Sequence, residues 1–545
     1  MNLKDLYRDL RKMISSYDIE IVISRITSHH RIQGSKGLRY AIEDLREALR
    51  SHGIESKIYE APLDSSRGFI ETPVGWDAQS GELRIWVEEE LLLDLDLRRS
   101  PTLLSAHTGS GEGCSELRFC RDDSCSGEAI ITDLTPYEAY DRYDSRLIIH
   151  YNPARHPDAV PYTGLFLRSR DLKKDRVVMN IPYSKASRVI DALARDRRVK
   201  VCWSSKTEYH TSGSLPILHT CSGSEKILYI SHICHPMPGA HDNASGSAGN
   251  YLIALLSRES SILRNIEMCS AWVPEHTGTA YLGEILGDSI EHIINLDMIG
   301  SNQYATGSVL TLVNPPLILG LRTASAGYIG LRTALDTIQS FTGVPTPSIR
   351  YDIAPYSAGS DHDLASVWGV ENFMLNEWPS RYYHTDRDSM NTLSTEDLAS
   401  TALSAVLAGY IISDENHARK AEEIYREHLI SWYATRSFTQ GVDVSLVIKL
   451  IRGEIRGKIP RDLSRTPLSS RYLYKVLERD LYNKVRRITA ASSYLTVYAL
   501  VGELAGVREE ELLDIFQAEE VIKWSDKDRS IVGEAWRILR SSLDL

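Results

Sequence analysis

The sequence predicts an α/β fold, interrupted early by a β-rich segment and followed by a mostly helical one. Three observations carry that reading. From about Ile217, short apolar runs (KILYIS, IEMCSAWV, HIINLDM, ENFML) alternate with helical stretches such as GSAGNYLIALLSR, the pattern of buried parallel strands between helices. From Pro62 to about 200, shorter β-like pieces alternate with Gly, Ser and Asp. Beyond the helix near Leu398–Ser413 the periodicity stays helical.

Taken in order, KGLRYAIEDLREALRSHG sets Leu38, Ile42, Leu45 and Leu49 on one helical face, with Gly53 as the stop. The strand SKIYE follows. The pieces GELRIWVEE, ELRFC, EAIITDL and RLIIHYNP, closed by a helix around Ser184–Arg195, form an insertion of ordinary domain size. The expected division is 1–61 with 201–415 for the α/β unit, 62–200 for the insertion and 416–545 for a helical C-terminal unit.

Length and composition narrow the class. At 545 residues the chain exceeds one ordinary core. With 42% hydrophobic and 25% charged residues it is neither disordered nor fibrous. Lys plus Arg number 62 against 73 Asp plus Glu, a net −11, which argues against a nucleic-acid coat. No window approaches the roughly 18–20 apolar residues of a membrane span. The first 16 residues lack a secretory apolar stretch, so a soluble, cytoplasmic protein is expected. Seven cysteines without a C-x-x-C pair read as reduced thiols, or one disulfide near Cys114, Cys120 and Cys125, rather than a zinc knot. Lys449–Arg487 carries twelve basic and four acidic residues. Such a run reads first as a solvated helical face and only second as a nucleic-acid surface. Its interleaved apolar positions favour a small domain packed on the catalytic unit or on another subunit, so a homo-oligomer is allowed.

The chemistry lies at strand ends, where ligands gather in parallel sheets. KILYIS runs into His232, with Cys234 and His235 just after; PMPGAHDNASG offers His241 and Asp242. IEMCSAWV ends at Pro274-Glu275-His276, HIINL at Asp297, and ENFML precedes Tyr382-Tyr383-His384. A hydrolytic zinc site needs imidazole and carboxylate ligands with one position open for water, plus a carboxylate that shuttles the proton. Singly, Asp242 reads as a helix cap and His384 as a hydrogen-bonded surface His. Asp297 ends an apolar run, where an unpaired charge is costly. Their joint placement favours a metal site.

The series His232, HDNASG (241–246), PEHTG (274–278), NLDMIG (295–300), GSDHD (359–363) and YHTDRD (383–388) resembles the M28 family of zinc aminopeptidases over roughly 205–415. The HICHP form of the first motif resembles an aminopeptidase-like branch with an interrupted catalytic domain. The insertion resembles the protease-associated domain of larger members, and the tail is similar to a winged-helix-like appendage. The resemblance implies a three-layer zinc-peptidase-like mixed sheet and one or two zinc ions. It implies His232, Asp242, Asp297 and His384 as ligands, with Asp242 bridging, and Glu275 as the general base. The implied reaction is hydrolysis of the N-terminal peptide bond of a peptide substrate.

Two departures stand out. The family's adjacent Glu pair is here Glu275-His276, so His276 either replaces the second carboxylate ligand or points away. Cys234 stands where the family has an Asp that orients the first His; it is either a weaker support or a thiolate ligand. Asp361, His362 and Asp363 read as a structural or substrate-positioning loop, His235 as a loop-orienting residue, and Trp378, Tyr382 and Tyr383 as walls of an apolar pocket. The alternatives to an aminopeptidase are a single-zinc amide cyclotransferase or deacylase, and a weakened peptidase-like protein that binds a partner through its basic tail.

Overall fold

The computed structural model describes residues 2–543 apart from 16, 123–124, 222, 224–225, 456–458 and 489–490, and apart from the side chains of 288 and 492–494. Eight strands form the central mixed sheet: β1 (Lys57–Pro62), β2 (Ser214–Cys221), β3 (Ile227–His232), β4 (Met268–Val273), β5 (His292–Asp297), β6 (Val309–Val313), β7 (Tyr351–Ala354) and β8 (Glu371–Trp378). Their spatial order is β1-β2-β4-β3-β5-β8-β6-β7. The middle four, β4, β3, β5 and β8, run parallel. Their carboxyl ends therefore share one rim, and His232 and Asp297 are the last residues of β3 and β5.

Every residue of β3, β4 and β5 is buried, so both faces of the sheet are covered, as the apolar runs require. The cover is α1 (Lys36–Ser51), α2 (Gly246–Glu259), α3 (Thr277–Leu286), α4 (Arg322–Leu335) and α5 (Thr395–Ile412). In α1 the predicted stripe of Leu38, Ile42, Leu45 and Leu49 is fully buried. Each such side chain contributes about 1.5–3 kcal/mol relative to exposure. The α1 and α3 helices pack on β2, while α5 packs on α2 and α4.

Between β1 and β2 the chain builds a separate seven-stranded sheet, from Gly75–Val87 to Val199–His210. It has its own apolar core, which includes Trp76, Leu83, Ile131, Ile149 and Val201.

After α5, every regular element among the described residues is a helix, from Glu415–Gln440 to Asp526–Ser542. The winged-helix expectation lacks its β-hairpin wing there. Of the basic run, Arg456 and Lys458 lie outside the described residues. The helices pack on their own chain: Tyr425 donates to Asn314 Oδ1 at 2.8 Å, and Trp368 Nε1 to the Arg465 carbonyl at 2.8 Å.

The cysteines correct the sequence reading. Cys114–Cys202, Cys120–Cys125 and Cys221–Cys269 are disulfide-bonded, and Cys234 is free and buried. Cys114 and Cys202 are directly opposite across antiparallel strands, as are Cys221 and Cys269. Strand register makes those pairs, and sequence spacing does not show register. Three disulfides weigh against the cytoplasmic expectation. Among the described residues no helix is long and apolar enough to cross a membrane.

Candidate functional site

The parallel rim gathers five ionisable side chains into two sets that share one carboxylate. His232 Nε2 lies 3.3 Å from Asp242 Oδ1 and 3.3 Å from Asp297 Oδ1. On the other side of Asp242, Oδ2 stands 3.3 Å from His235 Nε2 and 3.1 Å from His384 Nε2. The donor atoms of each set, His232/Asp242/Asp297 and His235/Asp242/His384, lie within 4.8 Å of one another. Asp242 thus turns one oxygen to each set.

The residues fit divalent zinc. Ligand atoms about 2.0–2.1 Å from a tetrahedral ion stand about 3.3 Å apart, close to the 3.1–3.3 Å found between the imidazole and carboxylate donors. Asp297 Oδ1 and His235 Nε2 are buried without a hydrogen-bond partner among the described residues, a costly state that a cation would relieve. His232 Nδ1 meets the Cys234 carbonyl at 3.2 Å, and His235 Nδ1 meets the Pro236 carbonyl at 2.9 Å. With Nδ1–H donated there, each ring turns the Nε2 lone pair to the centre. Three protein ligands per set leave a fourth position for water or substrate.

The loop that carries His235 and Asp242 is held from three sides. Arg31, fully buried, donates from Nε to the Ile233 carbonyl at 2.7 Å and from Nη2 to the Gly239 carbonyl at 2.6 Å. Asp388 accepts the His241 and Asp242 backbone N–H groups on separate oxygens, each at 2.9 Å. Gly239 has φ 53°, and a Cβ there would lie 2.2 Å from His235 Nδ1. Only glycine lets the turn approach the ring so closely.

Glu275 stands beside the first set, one residue past Pro274 at the end of β4. Burial pushes its carboxyl up to about 7, against the pull of His232 and His276. Its backbone N–H donates to Cys234 Sγ at 3.2 Å, and Gln33 Nε2 donates to its carbonyl at 3.0 Å. Cys234 lies in neither ligand set: its carbonyl orients His232 and its sulfur holds the Glu275 backbone.

Among the described residues His276 belongs to neither donor set, although it lines the same cavity. Its backbone φ is 56°, and its Nε2 faces Asp363 Oδ2 at 3.6 Å. Burial opposes charge there, yet Asp363, Glu275 and Asp361 push its imidazole up to about 10. Asp361 Oδ1 accepts the His276 backbone N–H at 2.7 Å and the Thr279 hydroxyl at 2.6 Å. The GSDHD loop therefore fixes the start of α3. His362 Nε2 meets the Ser357 carbonyl at 2.9 Å.

The structure thus gathers His232, Asp242, Asp297 and His384, sets Glu275 beside them, and leaves His276 out. Sequence reasoning missed His235 as a partner of Asp242, Asp388 as the loop clamp, and Tyr162. The Tyr162 ring meets those of His235 and His384 edge-on, 4.8 Å from each, and its N–H donates to the His384 carbonyl at 2.7 Å. Only the repeated His in HICHP hinted at any of these. A cavity of about 490 Å³ opens in front of the sets, walled by Met298, Val313, Met374, Trp378 and Tyr383. Tyr382 instead stacks on His156 at 5.3 Å.

Residues 217–408 match the family model described as peptidase family M28. That span holds every predicted site residue, and the resemblance is borne out over it. Among solved structures, an M28 peptidase precursor from Shewanella amazonensis is 13% identical at TM-score 0.53, covering 76% of this chain and 97% of that one. A zinc aminopeptidase from Bacillus subtilis is 14% identical at TM-score 0.50, covering 73% and 96%. At such identities the likeness speaks for the fold. None of the curated proteins matches this sequence.

Proposed function

We propose that this protein is a zinc-dependent aminopeptidase that hydrolyses the N-terminal peptide bond of peptides, with Glu275 as general base. The observation that carries the reading is Asp242, whose two oxygens face two separate sets of imidazole and carboxylate donors. In this reading His232, Asp242 and Asp297 hold one zinc ion, while His235, Asp242 and His384 hold a second. The Bacillus protein of this fold is a zinc aminopeptidase, which supports zinc over other divalent ions.

Bound zinc would supply Lewis acidity and make a water acidic enough to attack near neutral pH. The chain's own residues do the rest. Glu275 takes the proton from the attacking water and hands it to the departing amine. Cys234 and Gln33 hold the Glu275 backbone so that its carboxylate faces the first set. Met298, Val313, Met374 and Trp378 receive an apolar N-terminal side chain and exclude water from it. In the domain division we propose, the α/β unit (1–61 and 201–415) bears the site. The 62–200 insertion caps it through Tyr162, and 416–545 packs behind.

The test is direct. Purified protein should hold up to two zinc equivalents by elemental analysis and release N-terminal residues from short peptides. Protein that neither holds nor binds a divalent metal would end the reading.

A further inference from the structure

Behind Glu275 lies a second chamber, of about 660 Å³, which no expectation from the sequence covered. Glu275 and His276 line both it and the cavity in front of the metal sets, so the two spaces meet at the proposed base. The far wall combines the insertion with the basic tail: Arg170 comes from the former, Arg471 and Lys475 from the helix Ser470–Val476 of the latter.

The charges there are unequal. Glu71 is the carboxylate of that far wall, and three cations share it. Lys475 Nζ stands 3.4 Å from Glu71 Oε2 and Arg471 Nη1 3.9 Å from the same oxygen, and Arg170 is ion-paired with Glu71. Arg170 also reaches Asp171 at 3.9 Å. Arg471 is spent on structure, since its guanidinium donates to the Leu165 and Phe166 carbonyls. The Lys475 and Arg170 side chains stay 38% and 57% exposed, so they are free to take a second anionic partner.

We propose that this chamber receives the far end of a short peptide substrate, and that Arg170 and Lys475 recognise a carboxylate there. The proposal rests on the peptidase reading for the position of the scissile bond. With the N-terminal side chain in the front cavity and the bond beside Glu275, the remainder of the peptide runs toward the basic tail. A volume of about 660 Å³ falls within the range of pockets for small ligands, so it holds a few residues rather than a long chain. The basic segment thereby gains a role inside the molecule, as a selector for anionic short peptides.

The carboxylate comes either from the chain end or from an acidic side chain, and the experiment separates them. The probe is a tripeptide whose first peptide bond is replaced by a methyleneamine link, so that it cannot be cleaved. It is titrated calorimetrically into the purified protein as the free acid, as the C-terminal amide, and as an amide with Glu in third position. A charge-assisted contact of ordinary strength makes the acid bind about tenfold tighter than the plain amide. Tight binding of the Glu amide assigns side-chain recognition; weak binding assigns the chain end. The double variant Arg170→Ala/Lys475→Ala should erase the difference while leaving the affinity for the plain amide unchanged. Glu71→Gln, which removes the competing carboxylate, should widen it. Equal affinity for all three probes overturns the proposal. Discriminating binding without cleavage of the natural peptide bond would sink the peptidase reading and leave this one standing. Cleavage at equal kcat/KM for acid and amide would do the reverse.

Discussion

Asp388 holds Asp242 by its backbone: Oδ2 accepts the Asp242 N–H at 2.9 Å while Oδ1 takes that of His241 at the same distance. The carboxylate that faces both donor sets is thus aimed by a second carboxylate that lies outside them. Asp388→Ala should lower zinc affinity about 10–100-fold, the usual cost of losing an outer support. Competition with a chelating dye reads it, and unchanged affinity would remove Asp388 from that role.

Glu275→Gln keeps the shape of the side chain and loses the base. Turnover should fall about 10²–10⁴-fold with bound zinc unchanged by elemental analysis. A variant that cleaves peptides at the parent rate would exclude Glu275 as base.

His235 and His276 make opposite predictions. His235→Ala removes one of the three donors of the His235/Asp242/His384 set, so bound zinc should drop from two equivalents toward one. His276→Ala breaks the contact with Asp363 and should keep both. Metal loss in His276→Ala alone would restore the sequence-based ligand list.

Thiol counting checks the cysteine pairing. Unfolded without reductant, the protein should show one thiol per chain to Ellman's reagent, that of Cys234, and seven after reduction. Seven thiols at the outset would mean that the pairs do not form.

The buried Glu519 gives a pH signature to the tail. Burial pushes its carboxyl up to about 8 from 4.5, although Leu317 N–H and the Tyr498 hydroxyl donate to it. The folded state therefore holds a proton that the unfolded state releases above 4.5. Between pH 4.5 and 8 stability falls as pH rises, by at most about 1.4 kcal/mol per unit for one proton; above that window the loss is complete. Glu519→Gln should flatten this slope and raise Tm more at pH 8 than at pH 5. An unchanged Tm difference between the two pH values would refute the linkage.

Much of the architecture was legible because burial writes itself into local pattern. Strands covered on both faces must be apolar throughout, which is why β3, β4 and β5 stood out as continuous runs. The Leu38–Leu49 stripe announced α1 by its spacing. His232 and Asp297 were readable for the converse reason, as polar groups that end such runs. His384 depended on a motif series, since nothing in its local sequence separates it from a surface histidine.

The sequence by itself determined the α/β layering, the place of the insertion and the helical tail, because periodicity and burial are properties of neighbouring residues. Tertiary structure alone decided that His235 rather than His276 joins Asp242, that cysteines 88 and 48 residues apart pair, and that the basic tail closes a chamber behind Glu275. Those outcomes depend on loop direction, strand register and domain docking, which are set by contacts between segments far apart along the chain.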